Sequence, residues 1–364
     1  MSFFTHHHHP TPRVLFVLKR REDFDDCPSY SHNGLSTGLL NSATFVKDML
    51  IDLGIEAEIV VVIDNNDIDR EVTRYKPTHV IIEALWVVPK KFTILSKLHP
   101  KVKWVIRFHS ETPFIAGEGM AMEWLHGYIQ QPNIYIGVNT PRYLYEVETI
   151  LVAAGFDDEE IKDKLIFLPN YYPVPDEVIP HHIHSNKTHV DISCFGAIRP
   201  LKNQLIQAIA ALKFADMIGK SLRFHVNIGR VEMKGDPILH NLKGLFEGIK
   251  ENGHELVIHT WAAHDEFIEI IKETDIGMQV SFSETFNIVA ADIVTTGVPI
   301  VVSTEVPWAR EGLADPTNSM NIASVLHNTW KSMGSNVKAN VRGLRAYVNT
   351  SSEFWKDFLT HTAK

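Results

Sequence analysis

Cysteine is scarce. Two residues, Cys27 and Cys194, among 364 are too few and too far apart for a disulfide scaffold, which suits a reducing compartment. No apolar run approaches the roughly 20 residues of a membrane-spanning helix, and the opening MSFFTHHHHPTPR lacks the apolar stretch of a signal peptide. The expectation is a protein neither secreted nor membrane-inserted, placed in the cytoplasm. Positive charge is in deficit as well: 35 Lys and Arg face 44 Asp and Glu, for a net charge of -9. That balance excludes a global pull toward nucleic acid or anionic membrane, so any anionic partner has to be held by a local patch. Metal-ligand spacing is also missing. The runs His6 to His9 and His181, His182 and His184 sit in irregular segments with no cysteine or carboxylate partners close by, and no metal is expected.

What is present is an ordinary globular balance, 45% hydrophobic and 22% charged, in a chain about twice the usual domain length of roughly 150 residues. Two domains follow. Short runs rich in Val, Ile and Phe alternate with amphipathic stretches, the rhythm of strand-helix units in a parallel sheet covered on both faces. Strands are expected at Arg13 to Lys19, Ile59 to Ile63, His79 to Leu85, Lys103 to His109, Ile134 to Asn139 and Leu165 to Pro169. Between them Leu39, Ala43, Val46, Met49, Leu50 and Leu53 recur at helical spacing, and Gly54 reads as a left-handed cap. Periodicity stops over Tyr171 to Val190, an expected linker, and restarts with Asp191 to Ala197, Arg223 to Gly229, Glu255 to Thr260, Ile276 to Val280 and Pro299 to Ser303. The fold class is therefore α/β, two Rossmann-like doubly wound parallel-sheet domains facing a central cleft. The first is expected over 1–172 and the second over 173–345, with an apolar-striped helix at 346–364 packing back on the first. Ligands of such sheets bind beyond the carboxyl ends of the strands, so chemistry is sought there.

In the second half, the strand DISCFGA runs into Arg199, Lys202 and Asn203. Gly196 allows close backbone approach to a ligand, while Arg199 and Lys202 suit phosphate oxygens. Two solvated cations at a helix start are the plainer alternative, although the macrodipole disfavours them there. The segment SFSETFNIVAADIVTTGVPIVVS is more informative. Glu284 ends a strand, Thr285, Phe286 and Asn287 open a helix, and Asp292 follows eight residues after Glu284. A helix beginning near Thr285 aims three or four unpaired amides at a bound anion. Glu284 and Asp292 are placed to accept from sugar and ribose hydroxyls, the alternative being an N-cap and a solvated helix residue. Between Glu83 and Glu111 lie Lys90, Lys91, Lys97, Lys101, Lys103 and Arg107 with no acid among them. That patch reads either as a solvated face or as a surface for a polyanion, with Trp86 and Trp124 as stacking or core residues. Asp67 and Asp69 read as a carboxylate pair for a divalent cation or, with more support, as first-turn helix acids.

Taken together, these residues resemble the retaining glycosyltransferases of the GT-B fold, and among them family 4. Glu284 with Asp292 is similar to that family's Glu, seven residues, Glu motif and precedes Gly297-Val298-Pro299; Gly196, Arg199 and Lys202-Asn203 resemble its diphosphate-binding turn. Leu168-Pro169-Asn170 resembles the end of its first domain, and Arg107-Phe108-His109 the strand-end histidine near the transferred sugar. These matches span about half of the chain in family order. Asp292 is shorter than the usual glutamate, and Asn287 stands where glycine is common.

The resemblance implies transfer of a sugar, with retained anomeric configuration and no metal, from a nucleoside diphosphate sugar, UDP favoured, to a hydroxyl acceptor. His109, Arg199, Lys202 and Glu284 would be catalytic. Gly196, Arg199, Lys202, Asn203, Glu284, Thr285, Phe286, Asn287 and Asp292 would hold the donor in the second domain, with base choice set near Trp261 and Gly229. Gly34, Gly38, Lys90, Lys91, Arg107 and Ser110 would meet the acceptor in the first. The sequence is also similar to tailed-phage glycosyltransferases of hydroxymethylated cytosine, which implies double-stranded DNA as acceptor in a host cytoplasm. A glycan, lipid or small-molecule acceptor, and a non-catalytic nucleotide-sugar-binding module, stand as alternatives.

Overall fold

The computed structural model describes residues 11–20, 37–181, 187–229, 231–232, 234–260 and 262–362. His6 to His9, Cys27, Gly34, His182, His184 and Trp261 lie outside the described residues. Those described fall into two compact units, one built from 11–20, 37–171 and 349–362, the other from the described part of 172–348.

Six strands build the first unit: β1 (Arg13–Lys19), β2 (Glu56–Val62), β3 (His79–Glu83), β4 (Lys103–Phe108), β5 (Ile134–Val138) and β6 (Leu165–Phe167). They pair in the order β2-β1-β3-β4-β5-β6, all parallel. The near-continuous apolar runs of β1, β3 and β4 are buried on both faces, as a sheet covered by helices on either side requires. The helix Thr37–Asp52 between β1 and β2 buries Ala43, Val46, Met49 and Leu50, whereas Leu53 is exposed beyond its end and Gly54 turns the chain with φ 79°.

The second unit repeats the plan with β7 (His189–Ser193), β8 (Ser221–Asn227), β9 (Glu255–His259), β10 (Ile276–Gln279), β11 (Ile300–Ser303) and β12 (Leu313–Ala314), in the parallel order β12-β11-β10-β7-β8-β9. β12 escapes sequence reading because two residues carry no period. The chain starts in the middle of this sheet at β7, runs outward through β8 and β9, then returns to the other side of β7 as β10. The carboxyl ends of β7 and β10 thus form the topological switch point, where open α/β sheets take their ligands.

Two segments differ from sequence expectation. The proline-rich stretch read as a linker is, as far as His181, part of the second unit: Arg345 donates to the carbonyls of Pro175 (2.7 Å) and Asp176 (2.6 Å), and the His181 amide to that of Gly297 (2.7 Å). Gly297 has φ 87°, and a Cβ there would lie 2.0 Å from the Ile179 carbonyl oxygen, so glycine is obligatory. The terminal helix is also longer than its apolar stripe suggests, running unbroken over Met333–Thr362, with residues to 348 in the second unit and those from 349 in the first. Within the first unit Trp355 is fully buried, 6.0 Å from the Phe16 ring and 5.1 Å from the Arg107 guanidinium, and its indole donates to the Pro169 carbonyl at 2.8 Å.

Trp355→Ala is expected to lower unfolding stability by about 3–5 kcal/mol, read by denaturant titration. A loss under about 1 kcal/mol would show that this helix end adds little to the core.

Candidate functional site

The candidate site of the second unit is assembled by backbone turns at the switch point. After β7, Gly196 adopts φ 117° and its amide donates to Asn227 Oδ1 at 2.7 Å. Pro200–Lys202 form one 3-10 turn, which Asn203 ends in a left-handed conformation (φ 61°). Asparagine is among the few residues that tolerate this region. The turn is laced to the end of β10. Gln207 donates to the Lys202 carbonyl (2.8 Å) and accepts from the Val280 amide (2.9 Å), Gln279 donates to the Phe195 carbonyl (2.7 Å), and the Phe282 amide donates to the Leu201 carbonyl (2.9 Å). Gln207 and Gln279 are buried polar residues that spacing arguments pass over, because an isolated Gln in a helix or strand carries no motif.

Held this way, Lys202 Nζ donates to Glu284 Oε1 in an ion pair, with the two side chains 14% and 8% exposed. Asn287 Nδ2 donates to the same oxygen at 3.0 Å and to Gln279 Oε1 at 3.0 Å. The helix does not begin at Thr285. It runs Ile288–Thr295 with Asn287 as N-cap, and Asn287 Oδ1 accepts from the Ala290 amide at 2.9 Å. One of the amides expected for an anion is therefore already satisfied. Asn287 has φ 62°, which explains an asparagine where glycine is common: both enter the left-handed region, and asparagine adds the cap.

The other expected donor residues divide. Arg199 lies in the same turn, half-buried, with Glu232 at 3.6 Å. Thr285 is half-buried beside Glu284. Asn203 is buried and both its amide hydrogens go to backbone carbonyls, Val280 at 3.0 Å and Pro316 at 2.8 Å, so it fastens the turn instead of presenting donors to a ligand. Phe286 is core, its ring against Trp308, Tyr347 and Tyr172. Asp292 is buried, not solvated; its Oδ1 accepts from Tyr172 at 2.8 Å and His264 at 3.1 Å. The hydrogen bond to Asp292 raises His264 above the ordinary imidazole value. Cys194 is a free thiol pushed up to about 12 by burial, hence inert.

In the first unit the strand-end residues form a separate network. Arg107 belongs to no surface patch: it is wholly buried and pairs with Glu83 Oε1 at 3.2 Å. Its remaining N–H groups donate to the carbonyls of Leu168 (3.3 Å) and Pro169 (3.2 Å) and to Asn170 Oδ1 (2.6 Å). Acceptor contact by Arg107 is corrected accordingly, since a guanidinium spent on five internal acceptors, Glu83 Oε2 at 3.4 Å being the fifth, has no face toward solvent. Leu168-Pro169-Asn170 is thereby the anchor of a buried charge. His109 Nε2 hydrogen-bonds the other Glu83 oxygen, and the imidazole is 12% exposed. Burial depresses His109 and would raise Glu83, but the charges of Arg107 and His109 and their hydrogen bonds together outweigh burial at Glu83 and hold its carboxyl below the ordinary range. Ser110 is half-buried beside His109; Gly38 and Lys90 are exposed, and Lys91 donates to Asn66 Oδ1 at 2.8 Å. Trp86 and Trp124 are partly buried against the core. Asp67 accepts from the amides of Ile63 (3.2 Å) and Asp64 (3.4 Å), and Asp69 pairs with His99 (2.7 Å).

No family model and no curated sequence matches this chain. Solved structures do. An OtsA apo structure superposes with a TM-score of 0.69 at 11% identity, over 97% of this chain and 99% of the other. The α,α-trehalose-phosphate synthase (UDP-forming) of Burkholderia vietnamiensis gives 0.64 at 11%, over 98% and 99%. Anabaena Alr3699/HepE, in complex with UDP and glucose, gives 0.60 at 13%, over 96% and 99%. The fold is GT-B. At such identities the likeness is one of fold, and the chemistry has to be argued from the side chains.

Glu83→Gln leaves the Arg107 charge buried without its counter-ion and is expected to cost about 3–5 kcal/mol of stability at neutral pH. The native carboxyl titrates below its unfolded value of about 4.3, so its contribution is complete above that pH and is lost as pH falls through the native value. Denaturant titrations down the pH scale should therefore show variant and wild type converging in acid; a constant gap would contradict the pairing.

Proposed function

We propose that this chain is a retaining glycosyltransferase, which moves a sugar from a UDP-sugar to a hydroxyl acceptor without a metal. One observation carries the reading: the Lys202–Glu284 pair stands at the switch point between β7 and β10, beside the N-terminus of the helix Ile288–Thr295. A cation, helix amides and a carboxylate held by two donors match what a sugar diphosphate presents, namely anionic oxygens and sugar hydroxyls. The trehalose-phosphate synthase named as UDP-forming and the HepE complex with UDP and glucose share this fold, which supports UDP as the nucleotide.

In the proposed reaction the bond from the anomeric carbon to the β-phosphate oxygen breaks and the acceptor oxygen bonds to that carbon on the same face. The acceptor proton passes to the departing diphosphate. Lys202, Arg199 and the first amides of the helix Ile288–Thr295 stabilise charge developing on the leaving group, the term that dominates catalysis in such sites. Glu284 orients the sugar and Asp292 receives the ribose, while the role of His109 rests on the family resemblance alone. The second unit binds the donor and the first the acceptor. Hydroxymethylated DNA is a weaker candidate acceptor than the sequence suggests, because Arg107 is withdrawn from the patch expected to meet phosphates.

The decisive experiment is mass spectrometry of products from UDP- and GDP-sugars offered with simple alcohols, sugars, sugar phosphates and hydroxymethylcytosine-containing duplex, each with and without chelator. Transfer from a UDP-sugar unaffected by chelator is the expected outcome. Donor binding with neither transfer nor slow hydrolysis would instead indicate a non-catalytic binding module.

Lys202→Ala and Arg199→Ala are each expected to reduce turnover on the order of 10²-fold or more, with a smaller change in KM. Glu284→Gln, which keeps an acceptor for Lys202 and Asn287, should impair transfer with little change in melting temperature. Wild-type turnover in both cation variants would refute the diphosphate site.

A further inference from the structure

The second unit holds another cluster of titratable side chains, separate from Lys202 and Glu284. Asp191 on β7, His225 on β8 and His259 on β9 lie across three neighbouring strands. Asp191 Oδ1 meets His225 Nε2 at 2.9 Å, and His225 Nδ1 meets His259 Nε2 at 2.9 Å, with the two rings stacked 5.2 Å apart at 17°. Lys187 (2.9 Å), Arg223 (3.3 Å) and His189 (3.3 Å) also face Asp191, while its backbone amide donates to Asp275 Oδ2 at 2.9 Å.

This chain of contacts fixes the tautomers. Burial would raise Asp191, but hydrogen bonds from His225 and Lys187 outweigh it and keep the carboxyl well below its usual range. A carboxylate only accepts, so the hydrogen of His225 sits on Nε2. In the neutral ring Nδ1 is then an acceptor, and it takes the Nε2 hydrogen of His259. Burial, with the Arg223 charge behind it, lowers His259 and favours its neutral form. The outcome is a lone pair on His259 Nδ1. No other hydrogen bond reaches this half-buried ring among the described residues.

The position of His259 gives that lone pair a use. It is the last residue of β9, and its register partner Asn227 holds the Gly196 amide. Its ring contacts Phe195, the residue before Gly196, with centroids 5.6 Å apart. The loop after it leads to His264, 3.1 Å from Asp292. His259 is therefore tied on one side to the turn that carries Lys202 and followed on the other by the residue that holds Asp292. We propose that His259 Nδ1 accepts the N3–H of a uracil base, which makes His259 the base-selecting residue of the donor site. Uracil in a nucleotide has that single N–H, whereas cytosine presents a lone pair at the same ring position.

The inference rests on the UDP-sugar reading, and calorimetry separates the two. Binding of UDP, CDP and N3-methyl-UDP is measured on wild type, His259→Ala and Asp191→Asn at about pH 8, above the ordinary imidazole range. Wild type is expected to hold UDP at least about 10-fold more tightly than CDP or N3-methyl-UDP. His259→Ala should weaken UDP by about 10-fold, leave CDP within about 2-fold and so erase the preference. Asp191→Asn, which releases the tautomer, should weaken UDP alone; should it fail to fold, His259→Ala at the half-buried end of the relay still decides the matter. UDP binding with the preference over CDP intact in His259→Ala overturns the assignment to His259 only. Failure of wild type to bind any nucleoside diphosphate overturns both this assignment and the proposed function.

Discussion

The second unit's site depends on one ion pair, Lys202 with Glu284, and on what keeps its partners in reach. Neither side chain comes from a rigid element: Lys202 stands on a single 3-10 turn and Glu284 on a loop after β10. Rigidity is supplied instead by buried amides. Gln207, Gln279 and Asn203 tie the two loops to each other and to the strand ends, and Asn287 joins Glu284 to the helix cap. An ion pair at a largely water-excluded position contributes little net stability, because desolvation offsets the Coulomb attraction. Its worth is positional. In the proposed reaction, a diphosphate arriving at the helix end would find the cation already placed and compete with Glu284 for it, leaving the carboxylate to a sugar hydroxyl.

The first unit solves a different problem with a buried Glu83–Arg107 pair, stabilised by three acceptors from Leu168-Pro169-Asn170 and by the Trp355 ring. His109 inherits its orientation from this pair, so the histidine near the expected sugar is set by charges that do not themselves reach solvent. Each unit thus positions its candidate side chain, itself largely buried, with a larger set of fully buried polar groups.

Much of the architecture was legible in the sequence because parallel strands in a covered sheet are short, largely apolar runs, and eleven of the twelve strands coincide with such runs. β12 was not, being an edge pair with too few residues for any pattern. In the second unit, Lys202 and Glu284 were legible through residue type near strand ends. Asn203, Asn287 and Arg107 show where that reasoning runs out. The same side chains that suit a phosphate or a sugar also suit a left-handed turn, a helix cap or a buried counter-ion, and sequence spacing does not distinguish these uses. Burial and hydrogen-bond partners do, which is why Arg107 moved from a presumed surface to the core and why the Asp191–His225–His259 relay, spread over three strands, came to light only in three dimensions.

The single helix Met333–Thr362 has a consequence for how the molecule is made. Residues 349–362 belong to the first unit but are translated after the whole of the second. While the ribosome is still extending the chain, the first sheet lacks the indole that covers Arg107 and accepts only a provisional packing. Nascent chains interrupted before Trp355 would expose a charged, apolar-rimmed gap to chaperones and proteases.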